Sequence, residues 1–191
     1  MTAPTTPDFS ILSLEGVDFT AVYSVASTTP ELPGPPFAVG THAIGTDSSE
    51  YLFVKASTAI AQWQAVSIDV LESAVVPLTG SLVAAETQVG FAQVAIPAAQ
   101  YGWVALRGQG IGVLAKKGSL SSLVSGPTAN SQGKLYVSGT SPGTLTTTSV
   151  KTSFLVTGIV LTTSCTSAML TTVNSVSGPV VATATWPRGL L

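Results

Sequence analysis

The chain has 191 residues, enough for one domain with a real core, and 45% of them are apolar while only 8% are charged, against about a quarter charged in ordinary soluble domains. A surface so poor in charge is weakly protected against association, so a subunit of a larger assembly is expected rather than a free monomer. The net charge of −2 with one adjacent basic pair, Lys116-Lys117, argues against a nucleic-acid binder, and the lone Cys165 excludes both an intramolecular disulfide and a cysteine-rich metal site.

Charge is nevertheless lopsided. Residues 1–86 hold all nine acids and one base, Lys55, for −8, and residues 87–191 hold six bases and no acid, for +6. Either the two halves interleave in one fold, or an acidic N-terminal segment docks on a basic neighbour. The opening "MTAPTTPDFS" has neither the basic region nor the apolar run of a secretory signal, and no stretch approaches the ~20 apolar residues of a membrane helix. No membrane partner is expected.

Along the chain, "VDFTAVYSV" (17–25) alternates, with Val17, Phe19, Ala21, Tyr23 and Val25 on one face, which predicts a strand. In "ASTTPELPGPPF" that follows, Pro30, Pro33, Pro35 and Pro36 rule out helix and ladder alike. Such a segment favours extended conformations and works as a semi-rigid spacer, reaching roughly 35 Å at ~3.1 Å per residue. Residues 1–36 are therefore expected to form an extended arm. From 37 to 184 short runs rich in Val, Ile and Thr recur: 51–56, 63–70, 87–96, 101–107, 111–117, 133–139, 143–150, 153–163, 168–174 and 179–185. Gly, Pro, Ser or Asn separates nearly all of them. That pattern predicts an all-β barrel or sandwich of short antiparallel strands. Residues 185–191, "TWPRGLL", read as an apolar tail.

Four motifs invite a chemical reading and fall short of it. Gly108, Gly110 and Gly112 lack the glycine that a dinucleotide fingerprint needs where Val113 stands, and no helix is expected after them; a hairpin or bulge fits better. "GPTANSQGKL" fails as a phosphate loop, with Thr128 and Leu135 at the required glycine and hydroxyl positions. "GTSPG" (139–143) matches a nucleophile elbow as a string, yet Pro142 has no N–H to offer an oxyanion, and neither an acid nor a histidine follows. His42, near Asp47 and Glu50, is the only histidine and reads as a surface or packing residue; an enzyme would need acids clustered around it. Trp63, Tyr101 and Trp103 are the aromatics available for a sugar-stacking platform, although Tyr101 and Trp103 more often fill a core or a subunit contact.

"QVGFAQVAI" (88–96) followed by "AAQYGWVALRGQGIGVLA" (98–115), with "SSEYLFVKASTAIAQWQAVSID" (48–69) before them, resembles a pattern in tailed-bacteriophage head proteins, the small β-barrel capsid decoration or cement proteins. The resemblance covers about residues 40–115. It implies a non-enzymatic structural protein of the virion capsid surface, without cofactor or metal, whose partners are the major capsid protein and further copies of itself, as a trimer before a dimer. Phe19, Tyr23, Pro33, Pro35 and Pro36 are the expected arm contacts, and Trp186, Leu190 and Leu191 those of the tail. Trp103 and Arg107 are expected in the core or at an interface. The alternative is a carbohydrate-binding or adhesion module on a virion surface or tail, which needs Trp63, Tyr101 or Trp103 exposed in a groove.

Overall fold

The computed structural model describes residues 16–24, 35–45, 47–69, 74–79, 88–115, 135–137, 141–146, 155–161 and 178–190. They contain ten strands and no helix: β1 (His42–Ile44), β2 (Glu50–Ala56), β3 (Ala65–Ile68), β4 (Ala74–Pro77), β5 (Gln88–Ala92), β6 (Tyr101–Ala115), β7 (Leu135–Val137), β8 (Leu145–Thr146), β9 (Leu155–Leu161) and β10 (Gly178–Leu190). The fold is all-β.

β2, β4, β3, β5 and the first half of β6 close into a five-stranded barrel, with β1 as an extra strand on β2. Strand direction cannot alternate all the way round an odd-numbered ring, so one parallel pair is required. It is β2–β4, through Lys55↔Ala74 and Ala56↔Val75. The remaining strands repeat this connectivity: the second half of β6, with β7, β8, β9 and β10, pairs in the same order, and its parallel pair is again first with third, Ala115↔Leu145. β6 thus belongs to both rings. Its glycines do not end the strand. Gly108 and Gly110 take positive φ and make an irregularity, opposite the register shift between Ala182 and Ala184, while the ladder with β10 continues to Ala115.

The barrel strands are buried on both faces, and for this reason the sequence shows apolar runs rather than clean alternation. Leu52, Val54, Val66, Ile68, Val75, Ala92, Val104 and Leu106 fill the barrel interior. On the outside, Ala65, Val89, Phe91 and Ala105 pack with Ile111, Val113, Leu135, Val137, Leu145 and Val156 of the second ring. The acidic and basic halves of the sequence interleave: Glu50 in β2 is the ladder partner of Arg107 in β6.

Three expectations are corrected. Residues 17–24 do not form a strand. They are turns ending in one antiparallel bridge, Tyr23↔Tyr101, because their alternating side chains are buried by aromatic packing instead of by a ladder. Nor do they reach away from the barrel, since Phe19 and Tyr23 pack on it. The stretch from residue 185, expected as a tail, belongs to a strand: β10 runs on to Leu190, pairing Arg188↔Thr157, Gly189↔Val156 and Leu190↔Leu155. Pro33, Leu191 and the run at 168–174 lie outside the described residues.

Candidate functional site

Side chains of β2 and β6 that point out of the barrel form an aromatic cradle. Strand parity places Tyr51 and Phe53 on the outer face of β2, and Tyr101 and Trp103 beside them on β6, where Phe53↔Trp103 and Lys55↔Tyr101 are ladder partners. Phe53 and Trp103 have ring centroids 5.0 Å apart, and Phe53 stacks on Tyr101 at 6.1 Å. Lys55 Nζ lies over the Tyr101 ring, 5.8 Å from its centre.

A strap, Gly16–Ser24, lies across this cradle, with Phe37 beside it. Phe19 stacks on Tyr51 at 4.1 Å and meets Trp103 edge-on at 5.5 Å. Phe37 meets Phe53 at 5.4 Å and Trp103 at 5.1 Å, while Tyr23 packs edge-on to Phe53 at 5.9 Å. Two backbone bonds of 2.9 Å, Tyr23 N–H to Tyr101 O and Tyr101 N–H to Tyr23 O, are the main-chain attachment. A turn opens the strap: Asp18 accepts from the Thr20 N–H and O–H at 2.8 and 2.6 Å, which holds its carboxyl below the ordinary pKa. Under the strap Trp103 is 0% exposed, and its indole N–H has no acceptor among the described residues.

Sequence reasoning missed a second feature. The loops after β2 and β5 are copies of one another, related by a pseudo-twofold axis. "ASTAIAQWQ" (56–64) and "AQVAIPAAQ" (92–100) share A-x-x-A-I-x-x-x-Q at a spacing of 36 residues. Their hydrogen bonds match in pairs: Ile60 and Ile96 bridge each other at 2.9 Å both ways, Trp63 N–H reaches Ala92 O, and Ala99 N–H reaches Ala56 O. Trp63 and Ala99, at equivalent positions, both have φ of 63°. The copies differ where they meet the second ring. Trp63 lies over Gly112, whose hydrogen leaves the only room for the indole, and its carbonyl accepts from Leu114 N–H at 2.7 Å. Gln93 clamps the same Gly112, accepting from its N–H at 2.9 Å and donating to its carbonyl at 3.2 Å.

The other candidates are placed as follows. His42 Nδ1 donates to Glu50 Oε1 at 2.7 Å, across the β1–β2 pair. Asp47 accepts from the Ser49 O–H and N–H at 2.7 and 2.9 Å, so the three residues do not converge. Among the described residues no three His, Cys, Asp or Glu side chains come together. Arg107 is exposed at the junction of the two rings, Pro35 is half-buried and Pro36 exposed. Trp186 and Leu190 are placed by their backbone in β10. For sugar stacking, Trp103 is closed off, and Trp63 and Tyr101 are half-buried. Comparison with protein-family models, curated proteins and solved structures finds no match to this chain.

Proposed function

We propose that the chain is a structural virion protein that binds the major capsid shell of a tailed bacteriophage and stabilises it, without catalysis. The observation that carries this reading is one of coincidence in extent. The residues bearing the resemblance to decoration proteins, about 40–115, span β1 to β6, which is the closed barrel with its extra strand and the strand that leads into the second ring. The charge-poor composition supports the same reading, since a chain with 8% charged residues has little to hold neighbouring surfaces apart. Stiffness suits the role as well. A ring closed by backbone bonds and packed on both faces deforms little under load.

The test is co-sedimentation of the purified chain with empty, expanded shells assembled from the major capsid protein of the same virus. Binding that saturates at a fixed ratio of chains to capsid subunits is expected, with a rise in the temperature at which the shells come apart. Shells that neither retain the chain nor gain stability from it would remove this reading.

A further inference from the structure

Among the described residues β1 is the one strand that pairs on a single side, while every other strand has neighbours on two. The hydrogen bonds fix which of its groups are left over. Phe53 N–H reaches Thr41 O at 2.8 Å and Gly45 N–H reaches Ser49 O at 2.7 Å, so Thr41, Ala43 and Gly45 face β2. The backbone N–H and C=O of His42 and Ile44 therefore point away from β2, and they meet no partner among the described residues. Ile44 is 37% exposed on the same strand, and no other large apolar side chain among the described residues is so open. A sheet edge is commonly guarded against pairing by a charge or a proline. The stretch from 37 to 46, "FAVGTHAIGT", holds no Asp, Glu, Lys, Arg or Pro.

We infer that β1 is a dimer edge: His42–Ile44 of one copy pairs antiparallel with His42–Ile44 of a second copy, about a twofold axis at Ala43. A second copy suits this edge because the strand is its own complement. Pairing centred on Ala43 sets His42 opposite Ile44 of the second copy, and the outward N–H and C=O groups of both residues bond across the axis. No like charges oppose one another in that register, since His42 faces Ile44 and is already bonded to Glu50 of its own chain at 2.7 Å. The two Ile44 side chains become diagonal neighbours, within reach of each other, and lose their exposure together. A three-residue edge makes a weak contact, so concentration drives the dimer, and two copies held side by side on a surface favour it further. The contact needs no capsid and stands or falls apart from the proposed function.

Sedimentation of the full chain at concentrations up to about 1 mM should show a monomer–dimer equilibrium. His42→Pro removes an outward N–H and leaves the β2 ladder intact, so it should weaken self-association by about tenfold or more. His42→Ala also loses the Glu50 bond but keeps the N–H, and it should stay within about threefold of wild type. Protected amides at Val54 and Val104, in the β2–β6 ladder, report that each variant is folded. As a second measurement, Ile44→Cys in a Cys165→Ser chain should give dimers with a short bis-maleimide. Ala61→Cys, exposed on the loop after β2, should give far fewer. A chain that stays monomeric at every concentration overturns the inference, and so does equal linking from positions 44 and 61. Association that His42→Pro leaves undiminished overturns it too. Capsid shells that hold the wild type but release His42→Pro, while the chain alone never dimerises, would overturn the second copy and give the edge to a strand of the shell.

Discussion

Trp103 sets the energetics of the cradle at the scale of single residues. Its ring is packed by Phe19, Phe37 and Phe53, so truncation to Ala should cost about 3–5 kcal/mol through lost burial and the cavity left behind. Its N–H, however, is buried without an acceptor among the described residues, and a donor left so costs about 1–3 kcal/mol. Trp103→Phe gives up volume but relieves that penalty, so it should unfold within about 1 kcal/mol of wild type in denaturant. A Phe variant as unstable as the Ala variant would mean that the N–H is satisfied. Ala99 offers the opposite case. It is exposed, with φ of 63°, a conformation that costs a residue with a Cβ about 1–2 kcal/mol. Glycine there loses about 0.4–1 kcal/mol through unfolded-state entropy, so Ala99→Gly should be slightly stabilising and raise the melting temperature by a few degrees at most. Asp47 makes a pH prediction. Bonds from Ser49 hold its carboxyl below the ordinary 3.8, so its contribution to stability is complete above that value and is lost as pH falls through the folded-state pKa. The side chain is exposed, so the effect on stability is small, and the direct readout is its NMR titration. The midpoint should fall below 3.8, and Ser49→Ala should raise it.

At the scale of elements, the strap is held by side chains more than by backbone, and one substitution should loosen it alone. Phe19→Ala removes a stacked and an edge-on ring contact, together worth about 1–3 kcal/mol. Exchange of the Tyr23 and Tyr101 amide hydrogens should quicken about tenfold or more, while amides within the β2–β6 ladder, such as those of Val54 and Val104, keep their protection. Equal acceleration everywhere would show that strap and barrel open as one unit. The same elements show what could be read beforehand. β2, β3, β5 and both ends of β6 were legible because each falls in a run of six to ten strand-forming residues, 51–56, 63–70, 87–96, 101–107 and 111–117. β1 and β4, with three and four residues, were too short to carry a period. Residues 17–24 alternate convincingly, yet periodicity reports only which side chains are buried, and here an aromatic cluster buries them without a ladder. In β6 the glycines of "RGQGIG" suggested a hairpin or a bulge. The bulge won, because positive φ at Gly108 and Gly110 absorbs the irregularity while β10 keeps pairing across it. The repeat A-x-x-A-I-x-x-x-Q stood in the string, but windows tuned to a strand or a helix turn do not see a 36-residue spacing. The cradle was half legible. Tyr101 and Trp103 shared a face by parity, whereas Tyr51 and Phe53 joined them only through a β2–β6 pairing that no local pattern encodes, and Phe37 through the segment before β1.

For the whole molecule, the two rings form one packed body, since Phe91 and Val89 of the first share a core with Leu135, Val137 and Val156 of the second. Removing residues 1–36 should therefore leave the rings folded. It also takes Val17, Phe19 and Tyr23 off the cradle, baring a contiguous apolar patch that promotes aggregation. Weakened shell binding by that truncation must accordingly be compared with Phe19→Ala, which perturbs the strap without deleting the acidic segment. Salt separates the two contributions. Residues 1–50 carry six acids and no base, so an N-terminal segment docked on a basic capsid surface would lose affinity steeply with ionic strength. The rest of the chain spreads seven bases and three acids thinly over residues 51–191, and the interleaving of Glu50 with Arg107 already brings the two signs together within the barrel. Contact through an uncharged surface is instead hydrophobic and gains slightly as salt rises. We expect the second behaviour. Between roughly 0.05 and 0.5 M salt, where the screening length shrinks several-fold, shell affinity should change by no more than about threefold. A fall of tenfold or more would place the binding energy in the acidic segment, and the barrel would then be its carrier rather than the adhesive surface.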